Sequence, residues 1–223
     1  MTSVITVDGP SGVGKGTISE YLSDKLKWNY LNSGALYRSI AWVAINESIE
    51  LNDTVGLDNA SKNISFTLHD KKLLIEYKRK SIGSLIYNEE VAKTASKVAS
   101  NPKVRRSIVN IQRQFKKEPG LVAEGRDMGS VIFPESELKI FLTASIETRA
   151  GRRYKQLKDR EFNVSLPALI KDLDARDDRD KSRENSPLVI PTGAFVIETD
   201  DLTIIDLRKI VKEKVNKTYG TNI

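Results

Sequence analysis

Short apolar runs alternate with longer helical patterns along this chain. Ser3 to Val7 is β-branched and apolar and stops at Asp8-Gly9, which reads as a buried strand. Ile18, Tyr21, Leu22 and Leu26 then recur at helical spacing. Trp28 to Leu31 is a second strand candidate, and Leu36 to Ile45 is again helical. Leu121 to Ala123, Leu138 to Leu142 and Phe195 to Ile197 are three further apolar strands, each followed by polar or charged residues. The last leads into an amphipathic pattern from Leu202 to Val215. Strands separated by helices predict an α/β fold: a five-stranded parallel sheet covered on both faces. Ligands in such sheets sit at the carboxyl ends of the strands.

One region departs from that pattern. Ile64 to His69 and Lys72 to Tyr77 alternate apolar and polar around Asp70-Lys71, as in an antiparallel hairpin. We read residues 63–86 as an insert within one domain spanning 1–223. The tail from Thr218 is expected to fray.

The first strand runs into Gly9-Pro10-Ser11-Gly12-Val13-Gly14-Lys15-Gly16-Thr17, a G-x-x-x-x-G-K loop between a strand and a helix. Its glycines let several N–H groups converge on one point, where the helix dipole also aims. Lys15 adds a mobile positive charge, so the loop is expected to hold the phosphates of ATP. Glycine replaces the usual serine or threonine after the lysine, and Thr17 follows one residue later. A magnesium ion there would depend more on phosphates and water.

Charge enters at two further strand ends. Glu124-Gly125-Arg126-Asp127-Met128-Gly129 follows the strand at Leu121. Glu124 is placed to hold magnesium through water, and Arg126 to enter the crevice. The apolar stripe Leu166, Leu169, Ile170, Leu173 continues at the same spacing into Arg176, Asp180 and Arg183. Charges on the continuation of a buried face need polar partners, either an anionic substrate or a salt-bridge network with Asp177, Asp178 and Asp180. Arg149-Ala150-Gly151-Arg152-Arg153 precedes a polar stretch, and residues 154–165 are the candidate lid over ATP.

Composition narrows the classes. There are no cysteines, which excludes disulfides, thiolate metal sites and cysteine nucleophiles. The lone His69 lies beside a turn and carries no expected role. No apolar run reaches membrane-spanning length and no signal-like segment opens the chain, so a cytoplasmic location without membrane contact is expected. The net charge of +6 fits either nucleic acid or a small anionic ligand. The arginines gather at strand ends and no nucleic-acid module is visible, which favours the small ligand.

These motifs, in this order, resemble bacterial cytidylate kinases, a family of nucleoside-monophosphate kinases. The likeness covers nearly the whole chain and includes Asn32-Ser33-Gly34-Ala35-Leu36-Tyr37-Arg38 and Arg176-Asp177-Asp178-Arg179-Asp180. It implies a P-loop fold with an acceptor-binding insert and lid, and transfer from ATP to CMP or dCMP with Mg2+, with a monomer as the expectation. It also implies roles for individual residues. Lys15, Arg126, Arg176 and Asp180 would be catalytic. The loop Gly9 to Thr17 and Arg153 would bind ATP. Ser33 and Arg38 would hold the acceptor, and Ser96, Arg105 and Asp127 would read the cytosine edge. Arg126 and Arg176 would bind phosphate, Asp180 the ribose hydroxyls, and Arg183 would add charge nearby. Glu124 stands where aspartate is also common. The resemblance names no direct metal ligand.

The chemistry agrees. Asp127 can accept from the cytosine amine and Arg105 can donate to its ring nitrogen or carbonyl. Uracil would leave the carboxylate unpaired, at about 1–3 kcal/mol or more. The rival readings are a kinase of UMP, AMP or shikimate, and an ATP-hydrolysing switch that acts on nucleic acid.

Overall fold

The computed structural model describes residues 2–159 and 164–223. A five-stranded sheet forms its centre, in the order β2-β6-β1-β7-β8. The strands are β1 (Val4–Asp8), β2 (Asn29–Asn32), β6 (Leu121–Gly125), β7 (Leu138–Thr143) and β8 (Phe195–Glu198), and every pairing is parallel. The expected five-stranded parallel sheet is therefore present, with strand ends within a residue or two of the apolar runs.

The two faces of β1 divide the core by strand alternation. Ile5 and Val7 join Val122, Ile140 and Leu142 under helices α1 (Lys15–Leu26) and α8 (Ile204–Tyr219), which supply Ile18, Leu22, Leu207 and Val211. Val4 faces the other way, toward Leu36 and Ile40 of α2 (Ser33–Asn46) and Val104 and Ile108 of α5 (Pro102–Gln114). Helices α3 (Thr54–Lys62) and α4 (Glu89–Val98) extend this second layer.

The alternating segment forms a small sheet of β3 (Ile64–His69), β4 (Lys72–Tyr77) and β5 (Lys80–Ser81). Asp70 and Lys71 both have positive φ, 48° and 65°, as a two-residue hairpin of the primed type requires. The hairpin tip docks on the main sheet, because Lys71 carbonyl accepts from Tyr30 N–H at 2.9 Å. That bond occupies part of the otherwise open edge of β2. His69 is exposed beside Asp70, 3.3 Å away.

Helices α6 (Ile146–Lys158) and α7 (Leu166–Ser182) pack on each other through Ala150, Leu157, Leu169 and Leu173. Part of the candidate lid is thus the last turn of α6, and residues 160–163 lie outside the described residues. No helix among the described residues is long and apolar enough to cross a membrane.

The tail corrects the sequence-based expectation. Helix α8 runs on to Tyr219, whose ring packs edge-on against Trp28 at 5.3 Å. Its hydroxyl donates to Val4 carbonyl at 3.2 Å, and Ile223 packs on the same core. Hydrophobicity counted locally misses this anchor because Trp28 is remote in sequence. Tyr219→Ala is expected to lower stability by about 2 kcal/mol, as a partly buried aromatic with one hydrogen bond should. Urea melts monitored by circular dichroism check this, and a loss below about 0.5 kcal/mol would return the tail to the periphery.

Candidate functional site

Among the described residues, seven of the eight α-helices start with a side-chain cap. Asn32, Asp53, Asn88, Asn101, Ser145, Ser165 and Thr203 each accept from backbone N–H groups of the turn that follows. Helix α1 alone has none: Gly14 stands at its cap with φ 95° and no side-chain bond. Its first N–H groups stay available, and its dipole favours an anion in front of them. Gly9 has a φ of 143°, and a Cβ there would collide with Leu142 carbonyl oxygen on β7. The loop backbone can therefore follow this path only with glycine at that position.

Two carboxylates anchor this loop's surroundings. Asp8 is fully buried at the end of β1, and its two oxygens accept from Met128 N–H at 2.9 Å and Gly129 N–H at 2.8 Å. Burial pushes its carboxyl up to about 7 against the pull of those N–H groups. The bonds fix the strand end that carries Arg126 and Asp127. There Met128–Ile132 makes one wide turn, with Phe133 N–H reaching Met128 carbonyl at 2.7 Å. Glu124, at the end of β6, accepts from the Tyr30 hydroxyl at 2.5 Å. Burial raises its carboxyl above the usual range, and the same burial, with Glu124 beside it, raises the Tyr30 phenol.

A cleft of about 680 Å³ opens at these strand ends. It is lined by the loop from Ser11 to Thr17 and by Ser33, Arg38, Ser96, Arg105, Arg126, Asp127, Arg153, Arg176, Asp180 and Arg183. All the site residues read from the sequence border it except Gly9 and Pro10, the first two residues of the loop. Pro10 carbonyl instead holds Lys15 Nζ at 2.6 Å. Burial, together with the charges of Arg126 and Arg176, keeps the Lys15 ammonium well below the usual lysine range, although Glu124 opposes this.

Positive charge is concentrated and only partly neutralised. Asp180 receives Arg126 Nε on one oxygen and Arg183 Nη2 on the other, each at 2.8 Å. Arg38 donates to Ile86 carbonyl at 3.1 Å and lies over the Tyr87 ring. Arg176 makes no hydrogen bond or ion pair among the described residues, and its Nε is buried without a partner. Burial and the neighbouring Arg126 bring its guanidinium down to about 9. The salt-bridge alternative to a ligand site thus accounts for Asp180 and Asp177 but leaves Arg176 without a bond of its own among the described residues.

Arg105 and Asp127 form a buried ion pair on the same cleft, with Arg105 over the Tyr37 ring. Asp127 Oδ2 holds the arginine, which leaves Oδ1 for a further donor. Ser96 is buried nearby and accepts from Arg179 Nε at 3.2 Å.

The basic group on α6 separates into three tasks. Arg149 is buried under the loop, donating to Ser11 carbonyl at 3.3 Å and pairing with Asp177 at 2.6 Å. Arg152 bonds Thr199, and Arg153 pairs with Glu89 at the start of α4. Asp8, Tyr30, Arg149 and Arg179 are parts of the site that the sequence reading left without a task. Asp8 could have been found as the acid that ends β1; the partners of the others are far away in the chain.

A family model described as cytidylate kinase matches residues 5–217. The chain is 42% identical over 222 residues to a cytidylate kinase of Aeromonas salmonicida, covering 99% of this chain and 96% of that protein. It is 44% identical over 213 residues to a cytidylate kinase of Shewanella sediminis, covering 93% and 92%. Among solved structures it is similar in fold to an uncharacterized protein from Eubacterium ventriosum, at 9% identity, with a TM-score of 0.53 over 97% of this chain and 99% of that one.

The unpaired arginine generates two expectations. Sulfate should raise the melting temperature well beyond an equal ionic strength of sodium chloride, by the equivalent of about 2.7 kcal/mol at 100 times its Kd. Arg176→Met should stabilise the ligand-free protein by roughly 1 kcal/mol, since it removes a crowded charge that has no partner. Calorimetry reads both, and a destabilised Arg176→Met would mean that the guanidinium is already satisfied.

Proposed function

The chain belongs to the cytidylate kinase family, and from that premise we propose that this cleft transfers the γ-phosphoryl group of ATP to CMP and dCMP. The observation that carries the choice of acceptor is the buried Arg105–Asp127 pair on an arginine-lined cleft. It offers one donor set and one spare acceptor oxygen side by side, the complement of cytosine's carbonyl, ring nitrogen and amine. Ser96 borders the same region and adds a hydroxyl to the base edge.

On this reading the loop Ser11 to Thr17 and the open end of α1 hold the ATP phosphates. Lys15 leaves Pro10 carbonyl for them, and Arg153 leaves Glu89. Arg38, Arg126 and Arg176 hold the acceptor phosphate, Ser33 and Asp180 contact the rest of the acceptor nucleotide, and Arg183 keeps Asp180 in place. The small β3–β5 sheet and α4 belong to the acceptor side. The last turn of α6, which lines the cleft through Lys155 and Gln156, belongs to the lid side of the donor, and residues 160–163 of the segment 154–165 lie outside the described residues.

The acceptor phosphate is already an ionised nucleophile, so no general base is required. One of its oxygens attacks the γ-phosphorus in line with the bridging oxygen that leaves with ADP. The new P–O bond forms as the old one breaks, giving CDP or dCDP. Catalysis then consists of alignment and neutralisation of charge spread over the transferred group. Arg176, which has no bonded partner among the described residues without ligand, gains one, and Arg126 adds its charge beside it.

The residues fit magnesium. A Cβ added at Gly16 would lie 3.5 Å from Glu124 Oε1, so a carboxylate fills the space beside the loop that a longer side chain would otherwise take. Glu124 would hold the ion through water, and the ion would supply neutralisation of phosphate charge when bound.

Arg176→Ala or Lys15→Ala is expected to lower kcat at least a hundredfold, because each removes charge from the transition state. Asp127→Asn is expected to narrow the preference for CMP over UMP at least tenfold. Phosphotransfer with CMP, dCMP, UMP, AMP and shikimate under identical conditions tests the assignment. Equal turnover of UMP and CMP, or ATP hydrolysis that needs no acceptor, would remove it.

A further inference from the structure

Gln112 has no exposed surface, yet it carries an amide. It lies on α5 seven residues after Arg105, so both side chains leave the helix on one face. Its Nε2 donates to Ser33 Oγ at 2.7 Å, and its Oε1 has no partner. A thioether or alkyl side chain of similar volume would fill the same space without stranding a carbonyl oxygen. Packing alone therefore does not account for the amide.

Ser33 shows what the amide does. A serine inside a helix readily turns its hydrogen back onto a backbone carbonyl of the preceding turn, but Ser33 is the first residue of α2 and has no such turn before it. Ser39 on the same helix donates to Leu36 carbonyl at 2.7 Å, and Ser61 on α3 to Asp58 carbonyl at 2.7 Å. Ser33 makes no such bond among the described residues. A hydroxyl has one hydrogen and two lone pairs. Gln112 fills one lone pair, which holds the oxygen in place and leaves its hydrogen unused at the wall of the cleft.

We propose that Gln112 is a positioning residue, whose amide turns Ser33 into a fixed hydrogen-bond donor toward an oxygen of the acceptor nucleotide. The proposal rests on the reading of Ser33 as an acceptor-side contact given above. It makes α5 a two-point ruler for that nucleotide, with Arg105 reaching the base directly and Gln112 acting through Ser33.

Steady-state kinetics of Gln112→Met, Ser33→Ala and the double variant test it, with thermal melts alongside. Each single change should raise KM for CMP about 3- to 10-fold, the effect of one hydrogen bond. KM for ATP should stay put, and KM for CMP should rise by more than kcat falls. The double variant should be no worse than Ser33→Ala alone, because the amide works only through the hydroxyl. Gln112→Asn, which withdraws the amide by one methylene, should match Gln112→Met and serves if the latter does not fold. The proposal fails if Ser33→Ala raises KM for CMP while the Gln112 variants do not, or if the effects multiply in the double variant. An unchanged KM in Ser33→Ala would remove the acceptor-side reading of Ser33, and the proposal with it.

Discussion

The bond pair from Asp8 to the Met128 and Gly129 amides holds the two halves of the site together. Asp8 ends the strand that launches the phosphate loop, and the two amides follow directly on Arg126 and Asp127. A carboxylate with no solvent contact is costly unless its lone pairs are met. Here the two N–H groups meet them, yet burial still lifts the carboxyl to about 7. The sheet supplies the rest of the constraint, because β1 and β6 are neighbours in register from Val4 and Leu121 to Asp8 and Gly125. Close approach is required as well: a Cβ at Gly129 would press on Thr6 Oγ1 at 2.7 Å. The glycine-rich loop and the strand end that carries Arg126 and Asp127 cannot shift independently while these contacts stand.

Around that joint the protein gathers more positive charge than its own carboxylates neutralise. Asp180 serves two arginines, and Asp177 is used by Arg149 beneath the loop. Arg176 is left, and Lys15 rests on a carbonyl rather than on an anion. Such an arrangement opposes stability, since like charges at short range in a partly dry site repel more strongly than in water. It favours whatever anion enters, because binding then relieves repulsion already present in the fold. The uncapped start of α1 works the same way, since its amides give up a local partner and gain one only when phosphate arrives.

The chain displays the sheet and the donor loop openly, because both are written in local pattern. Strand runs such as Ile5 to Val7 and the G-x-x-x-x-G-K spacing need no distant partner to be read. The stripe from Leu169 to Asp180 is legible for the same reason, as a helix face that changes from apolar to charged. Helices α4 and α5 carried signals that the reading passed over, with Asn88 and Asn101 as caps and Pro102 after the second. What stays hidden is chemistry set by tertiary neighbours. Nothing near Gln112 points to Ser33, 79 residues away. Arg149 and Arg152 look like phosphate ligands among their basic neighbours, yet each is bonded to a backbone carbonyl of another loop. Tyr219 gives no local sign of its anchor because Trp28 lies at the other end of the chain.

On the proposed reading, selectivity follows from having Arg105 and Asp127 already joined. Arg105 holds one oxygen of Asp127 and leaves the other free to accept from an amine. Cytosine then completes a set that is half made, and its amine costs the site no reorganisation. Uracil brings a carbonyl to the same oxygen and repels it. The pair in turn depends on α5 lying in place, which Asn101 and the buried Val104 and Ile108 secure by capping and packing. Asp127 in turn sits on the strand end that the Asp8 bonds fix, so on the proposed reading the two halves of the base contact are held by two different parts of the core, a packed helix and a buried carboxylate.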